Sequence, residues 1–104
     1  MISVSNNELE IILEIIKKYA YDCDVLVFGS RYKNRQKIYS DLDLAFDCGS
    51  IMSFKRLQEM TEAFQESLLP YRVDIIDYRS ISSGFRKIID SGNKKIFFGK
   101  RENK

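Results

Sequence analysis

The segment Asp41-Leu42-Asp43-Leu44-Ala45-Phe46 sets two carboxylates one residue apart inside an apolar run. Carboxylates are seldom buried without a partner. Any fold of this chain must therefore pack one side of the segment and turn the other toward something cationic. A strand does this, because its side chains alternate: Leu42, Leu44 and Phe46 take one face, and Asp41, Asp43 and Ala45 the other. Residues two apart on a strand are ~6.6 Å apart at the backbone, so both carboxylates can converge on divalent ions about 3.5–4 Å apart. Mg²⁺ takes one or two carboxylates together with phosphate oxygens, which makes the pair a metal platform for a nucleoside triphosphate. Asp47 has the same parity but lies ~13 Å beyond Asp43 and reads as a cap for the loop that follows.

A second feature stands at a fixed distance upstream. Val25 to Phe28 is a short apolar strand, and Gly29 stops it with a residue that lets the backbone turn tightly. The Ser30 hydroxyl and the neighbouring N–H groups then point toward an anion at the start of a short helix. Arg31, Lys33, Arg35 and Lys37 form a basic run beside it, through a polar segment read as a helical turn and a loop. Alone, a D-x-D is most often a wetted strand face, a Gly-Ser pair a turn, and a basic run a solvated surface. Their order and spacing together point to phosphate and metal. Two other D-x-D classes do not fit. Metal-dependent glycosyltransferases need a larger nucleotide-sugar domain, and aspartyl-phosphate hydrolases place Thr or Val where Ala45 stands.

The rest of the chain supplies cover for these strands. Ser5 and Glu8 form a capping-box pattern, and Leu9, Ile12, Leu13, Ile16 and Tyr19 follow at helical spacing over about Asn6 to Ala20. Ser53 caps a second helix with a buried stripe of Phe54, Leu57, Met60, Phe64 and Leu68, ended near Pro70. Arg72 to Asp77 reads as a third strand. Ser82 or Ser83 caps a shorter helix with Phe85, Ile88 and Ile89 inward and Gly92 at its end, and Lys95 to Phe98 is a last strand. Helices alternating with short strands predict an α/β (α+β) fold, helices packed on a small mixed sheet. With 104 residues, 44% hydrophobic and 31% charged, the chain reads as one globular domain over 1–99 with a loose basic tail at 100–104.

Composition narrows the chemistry. There is no histidine, which removes Ser-His and Cys-His nucleophiles and His-ligated metals; the net charge is only +2, against nucleic acid as a direct substrate. No apolar run is long enough for a membrane span, and the first residues lack a signal-peptide pattern. Cys23 and Cys48 have no metal-type spacing and read as two free thiols of a cytoplasmic protein.

Gly29, Ser30 and Arg31, followed by Ser40, Asp41, Asp43 and Leu44 at that separation, resemble the minimal nucleotidyltransferases of the DNA polymerase beta superfamily. The order of elements is similar over nearly the whole chain. Tyr32 and Asn34 stand where the family often has a small residue and a glycine; Asn34 tolerates the left-handed backbone that glycine provides. The resemblance implies a polymerase-beta-like fold, with Gly29, Ser30 and Arg31 at the phosphates. It implies that Asp41 and Asp43 hold two ions, Mg²⁺ or alternatively Mn²⁺, and that Asp74 in the run RVDIID is the third carboxylate. The residues alone do not choose between Asp74 and Asp77, which lie on opposite strand faces; Asp77 reads as a strand-end carboxylate. The reaction implied is attack of a hydroxyl on the α-phosphorus of a nucleoside triphosphate, ATP by preference. Small members of this family are paired with HEPN-type toxins, and the resemblance implies an antitoxin that transfers AMP to a tyrosine of its partner. A non-catalytic partner-binding module and a small-molecule transferase subunit are the alternatives. The length leaves no second domain to enclose a small acceptor.

Overall fold

The computed structural model describes residues 4–29, 31–32 and 40–100. Ser5 and Glu8 close the capping box, each side chain accepting from the other's backbone N–H at 3.1 Å. This starts α1 (Asn6–Tyr19). The chain continues through β1 (Asp24–Phe28), β2 (Leu42–Asp47), α2 (Phe54–Gln65), β3 (Val73–Asp77), α3 (Ser83–Asp90) and β4 (Lys94–Phe97). The four strands form one mixed sheet in the order β3-β2-β1-β4. β1 is antiparallel to both β2 and β4, and β2 is parallel to β3. The parallel pair needs a crossover, which α2 supplies.

Strand alternation sorts the core into two layers. Val25, Val27, Leu42, Leu44 and Phe46 face Ile12 and Ile16 of α1 and Met60 and Phe64 of α2. Phe28 and Ala45 face the other way, with Ile89 of α3. That second layer is thin, since α3 has only eight residues. The face carrying Asp43 and Ala45 is thus covered by one short helix, and the opposite face by two longer ones.

Several expectations need correction. Phe54 and Leu68 are 76% and 90% exposed rather than part of the α2 stripe. Phe54 is the first helical residue and Leu68 lies past the end of α2, so neither is held against the sheet. Ile88 is 66% exposed while Ile89 is buried; adjacent helical residues point about 100° apart, and one short helix buries one of them. The largest correction concerns the cysteines, which are not free thiols. The pairing of Asp24 with Asp47 continues to Cys23 and Cys48, whose sulfurs are joined across a Cα–Cα distance of 4.0 Å. Strand register, which spacing along the chain does not display, brings them together. Of the expected basic tail, Lys100 is tied down by its N–H donating to Tyr21 O at 2.8 Å, and 101–104 lie outside the described residues.

Candidate active site

The end of the sheet away from the cysteines gathers the carboxylates. Asp43 pairs with Phe28 on one side and with Asp74 on the other, so β2 carries Asp43 directly beside Asp74. Both share a face with Ala45 and Ile76, the face α3 covers. Asp41 precedes β2 with the parity of Asp43. The sheet thus brings Asp41, Asp43 and Asp74 to one end of neighbouring strands. Gly29 completes the corner. Its φ is +79°, and a Cβ there would overlap the Asp43 carboxylate. The glycine is needed twice, for the left-handed turn and for the close approach of Asp43.

Electrostatics mark the same corner. Burial, then the like charges of Asp74 and Asp41, push the Asp43 carboxyl up to about 6, with the Arg72 guanidinium offsetting part of this. Arg72 stands between two of the three: its Nη2 is 3.4 Å from Asp41 Oδ2 and 3.1 Å from Asp74 Oδ1. Among the described residues, no three carboxylates or thiols are drawn tightly enough together to hold an ion as they stand. The expected convergence of all three carboxylates on an ion is thus not seen among the described residues; a guanidinium instead bridges Asp41 and Asp74. The donor set still suits a divalent ion. Three carboxylates, which are hard oxygen donors, stand at one end of adjacent strands, one of them penalised for being charged, with a guanidinium already drawn to the other two.

Arg31 turns inward, where the sequence had suggested a phosphate contact. It is 5% exposed; its Nε donates to Ser40 O at 3.0 Å, and its guanidinium lies 3.8 Å from the centre of the Tyr71 ring. The Tyr71 hydroxyl in turn donates to Glu8 Oε1 at 3.0 Å. Arg31 thus ties the residue after the Gly29 corner to the residue before Asp41, braced on α1. Ser30, and Lys33, Arg35 and Lys37 of the basic run, lie outside the described residues. A cleft of about 420 Å³ opens beside Gly29, lined by Phe28, Tyr32, Ile88, Ser91 and Gly92.

The two remaining aspartates of the motif strands do other work. Asp47 caps the next loop, accepting from Gly49 N at 3.0 Å, and pairs with Arg79 at 2.7 Å. Asp77 is buried at the far end of β3, where Oδ2 accepts from Met52 N at 2.7 Å and Oδ1 from Arg79 N at 3.1 Å. Asp74 lies beside Asp43, and Asp77 does not. Sequence reasoning missed Arg72 and Tyr71. Arg72 left a signal, since it stands two residues before Asp74 and shares its strand face; the tie from Tyr71 to Glu8 left none.

The chain is similar to proteins already known. The family model described as Polymerase beta, Nucleotidyltransferase matches residues 10–102. A Haemophilus influenzae protein named "Probable protein adenylyltransferase MntA" is 41% identical over 88 residues, 85% of this chain and 77% of that one. A "Protein adenylyltransferase MntA" of Thermococcus cleftensis is 32% identical over 93 residues, 86% of this chain and 93% of that one. Among solved structures, a complex described as tri-AMPylated Shewanella oneidensis HEPN toxin with MNT antitoxin is similar at a TM-score of 0.68 and 20% identity, over 88% of this chain and 71% of the matched one. That likeness speaks to the fold.

Proposed function

The chain belongs to the polymerase beta nucleotidyltransferase family, and from that premise we propose that it is a protein adenylyltransferase. It moves AMP from ATP onto a tyrosine hydroxyl of a partner protein, and acts as the antitoxin of a HEPN-type toxin. The observation that carries this reading is the pairing of Asp43 with Asp74 in register, against a glycine that leaves room for the carboxylate. The names of the curated relatives supply the adenylyl group and the protein acceptor, and the HEPN toxin complex suggests the class of partner.

In this reading Asp41 and Asp43, with Asp74 as third carboxylate, would hold two Mg²⁺ ions, with Mn²⁺ as substitute. Bound there, divalent ions supply charge neutralisation at the attacking and leaving oxygens. The partner's hydroxyl oxygen bonds to the α-phosphorus, the bond from that phosphorus to the β-phosphate bridging oxygen breaks, and pyrophosphate leaves. The hydroxyl proton passes to Asp74 or to solvent. Gly29 and Ser30 cradle the phosphates. Arg31, which donates to Ser40 O and stacks on Tyr71, anchors the residue before Asp41 beside them. Residues 1–99 act as one catalytic domain in the cytoplasm, on the ground that ATP and such a partner meet there, since the joined Cys23 and Cys48 remove the thiol argument for that compartment.

The test is to incubate the purified chain with labelled ATP and Mg²⁺, with and without the product of the neighbouring gene. Mass spectrometry is expected to find AMP on a tyrosine of that product. Asp41→Ala with Asp43→Ala is expected to reduce the rate by at least about a hundred- to a thousandfold, the scale of losing charge stabilisation at the reacting phosphate. No adduct with any nucleotide, from a chain that still neutralises its partner, overturns the reading in favour of inhibition by contact.

A further inference from the structure

We propose that Arg72 is a resident counter-cation of the carboxylate corner, a positioning residue that a divalent ion displaces when it binds. The proposal rests on the reading that Asp41, Asp43 and Asp74 take such an ion.

Three observations carry it. Arg72 is fixed by its backbone, since its carbonyl accepts from Leu42 N at 2.9 Å and so anchors the start of β3 beside β2. Its side chain is free to leave, being 69% exposed. Both of its ion pairs are with members of the trio, at 3.4 Å to Asp41 and 3.1 Å to Asp74. A guanidinium that stayed paired with both carboxylates would stand within a few ångströms of a divalent ion on the same groups, and the like charges would repel. The two cations therefore compete for one site.

Charge gives the competition its purpose. Without Arg72, the three carboxylates have no other ion pair shown among the described residues, and one of them is already partly desolvated. With it, the corner carries one positive charge that is weakly held, because exposed ion pairs contribute little. A divalent ion brings twice the charge and displaces it. Arg72 keeps the donors on adjacent strands aligned beforehand and raises the threshold for cations that bind weakly. If Arg72 only tied β2 to β3, its removal would loosen the donors and weaken metal binding, so the sign of the change separates the two roles.

The experiment is calorimetric titration of Mn²⁺ alone, without nucleotide, into the full chain at low salt and neutral pH. Arg72→Gln, checked for its fold by circular dichroism, is expected to bind Mn²⁺ roughly two- to tenfold tighter than wild type, the range set by losing two exposed ion pairs. Arg72→Lys keeps the charge and is expected to lie near wild type. Asp43→Asn is expected to weaken binding in both backgrounds, which places the ion in this corner. Wild-type binding with Arg72→Gln equal or weaker overturns the proposal and leaves the metal reading intact. Failure of wild type and Arg72→Gln alike to bind overturns both.

Discussion

The two ends of the β1–β2 pair are built from the same residue type and treat it in opposite ways. At the closed end, Asp22, Asp24, Asp47 and Asp77 each have dedicated donors. Arg56 holds Asp22 and also Tyr19 O. Lys95 and Gly99 N hold Asp24, at 3.3 and 2.8 Å. Arg79 holds Asp47, and Met52 N holds Asp77. The Cys23–Cys48 bond sits among them. At the open end, three aspartates share one exposed arginine among the described residues, and Asp43 is pushed up to about 6. Satisfied carboxylates hold a fold together. Carboxylates kept together without enough donors store repulsion that a ligand relieves, and perturbed groups of this kind mark functional sites.

The comparison can be broken at either end. The largest expected effect on stability is at the closed end. Reducing Cys23–Cys48 is expected to cost about 2–4 kcal/mol, the scale of releasing a loop of this size, read as a lower urea midpoint in reductant. Mn²⁺ affinity at the open end is expected to stay unchanged. A midpoint that does not move, with both thiols alkylated under reduction, refutes the clamp.

Next is Asp77→Ala, which strands the Met52 N–H without its acceptor. It is expected to destabilise by about 1–3 kcal/mol, measured by denaturant unfolding, with little effect on adenylyl transfer by the folded fraction. A loss of transfer without a loss of stability would move Asp77 into the active site.

The smallest effect is the sharpest in sign. The Asp43 carboxyl titrates higher in the folded chain than unfolded, so between pH about 4 and 6 the native state binds more protons. Metal-free stability is then expected to fall as pH rises through that window and to level off above it. The loss is about 1–2 kcal/mol once solvent screening of a half-buried group is allowed for. Asp43→Asn is expected to flatten the profile and to be the more stable protein at neutral pH. A wild-type profile that rises through the window would mean Asp43 is paired like the aspartates of the closed end.

Much of this contrast was legible in the chain and part was not. Local signals were reliable: the Ser5–Glu8 box, the parity of Asp41 and Asp43, the stop at Gly29, and Asp47 as a loop cap all follow from residues within a few positions of each other. What stayed hidden depends on which distant segments meet. The register of β1 on β2 decides that Cys23 faces Cys48. The register of β2 on β3 decides that Asp74 rather than Asp77 stands beside Asp43. Arg31 reads as a phosphate residue from the basic run it opens and from the family motif; its stacking on Tyr71 comes from another part of the fold and is not visible in either. Ile88 and Ile89 show the limit of periodicity, since a helix of two turns gives too few positions to fix which face is buried.

The parallel pairing of β2 with β3 has a consequence for how the molecule comes into being. An antiparallel neighbour can zip up from a short turn, but a parallel one must wait for its whole crossover, here α2, before any contact forms. Asp43 and Asp74 are therefore expected to meet late in folding, once the loop-closure entropy of that crossover has been met. A chain still emerging or half collapsed can hold β1 against β2 and yet have no third carboxylate in place. A cation that needed all three would recognise only completed molecules and, by mass action, would add its binding energy to them alone.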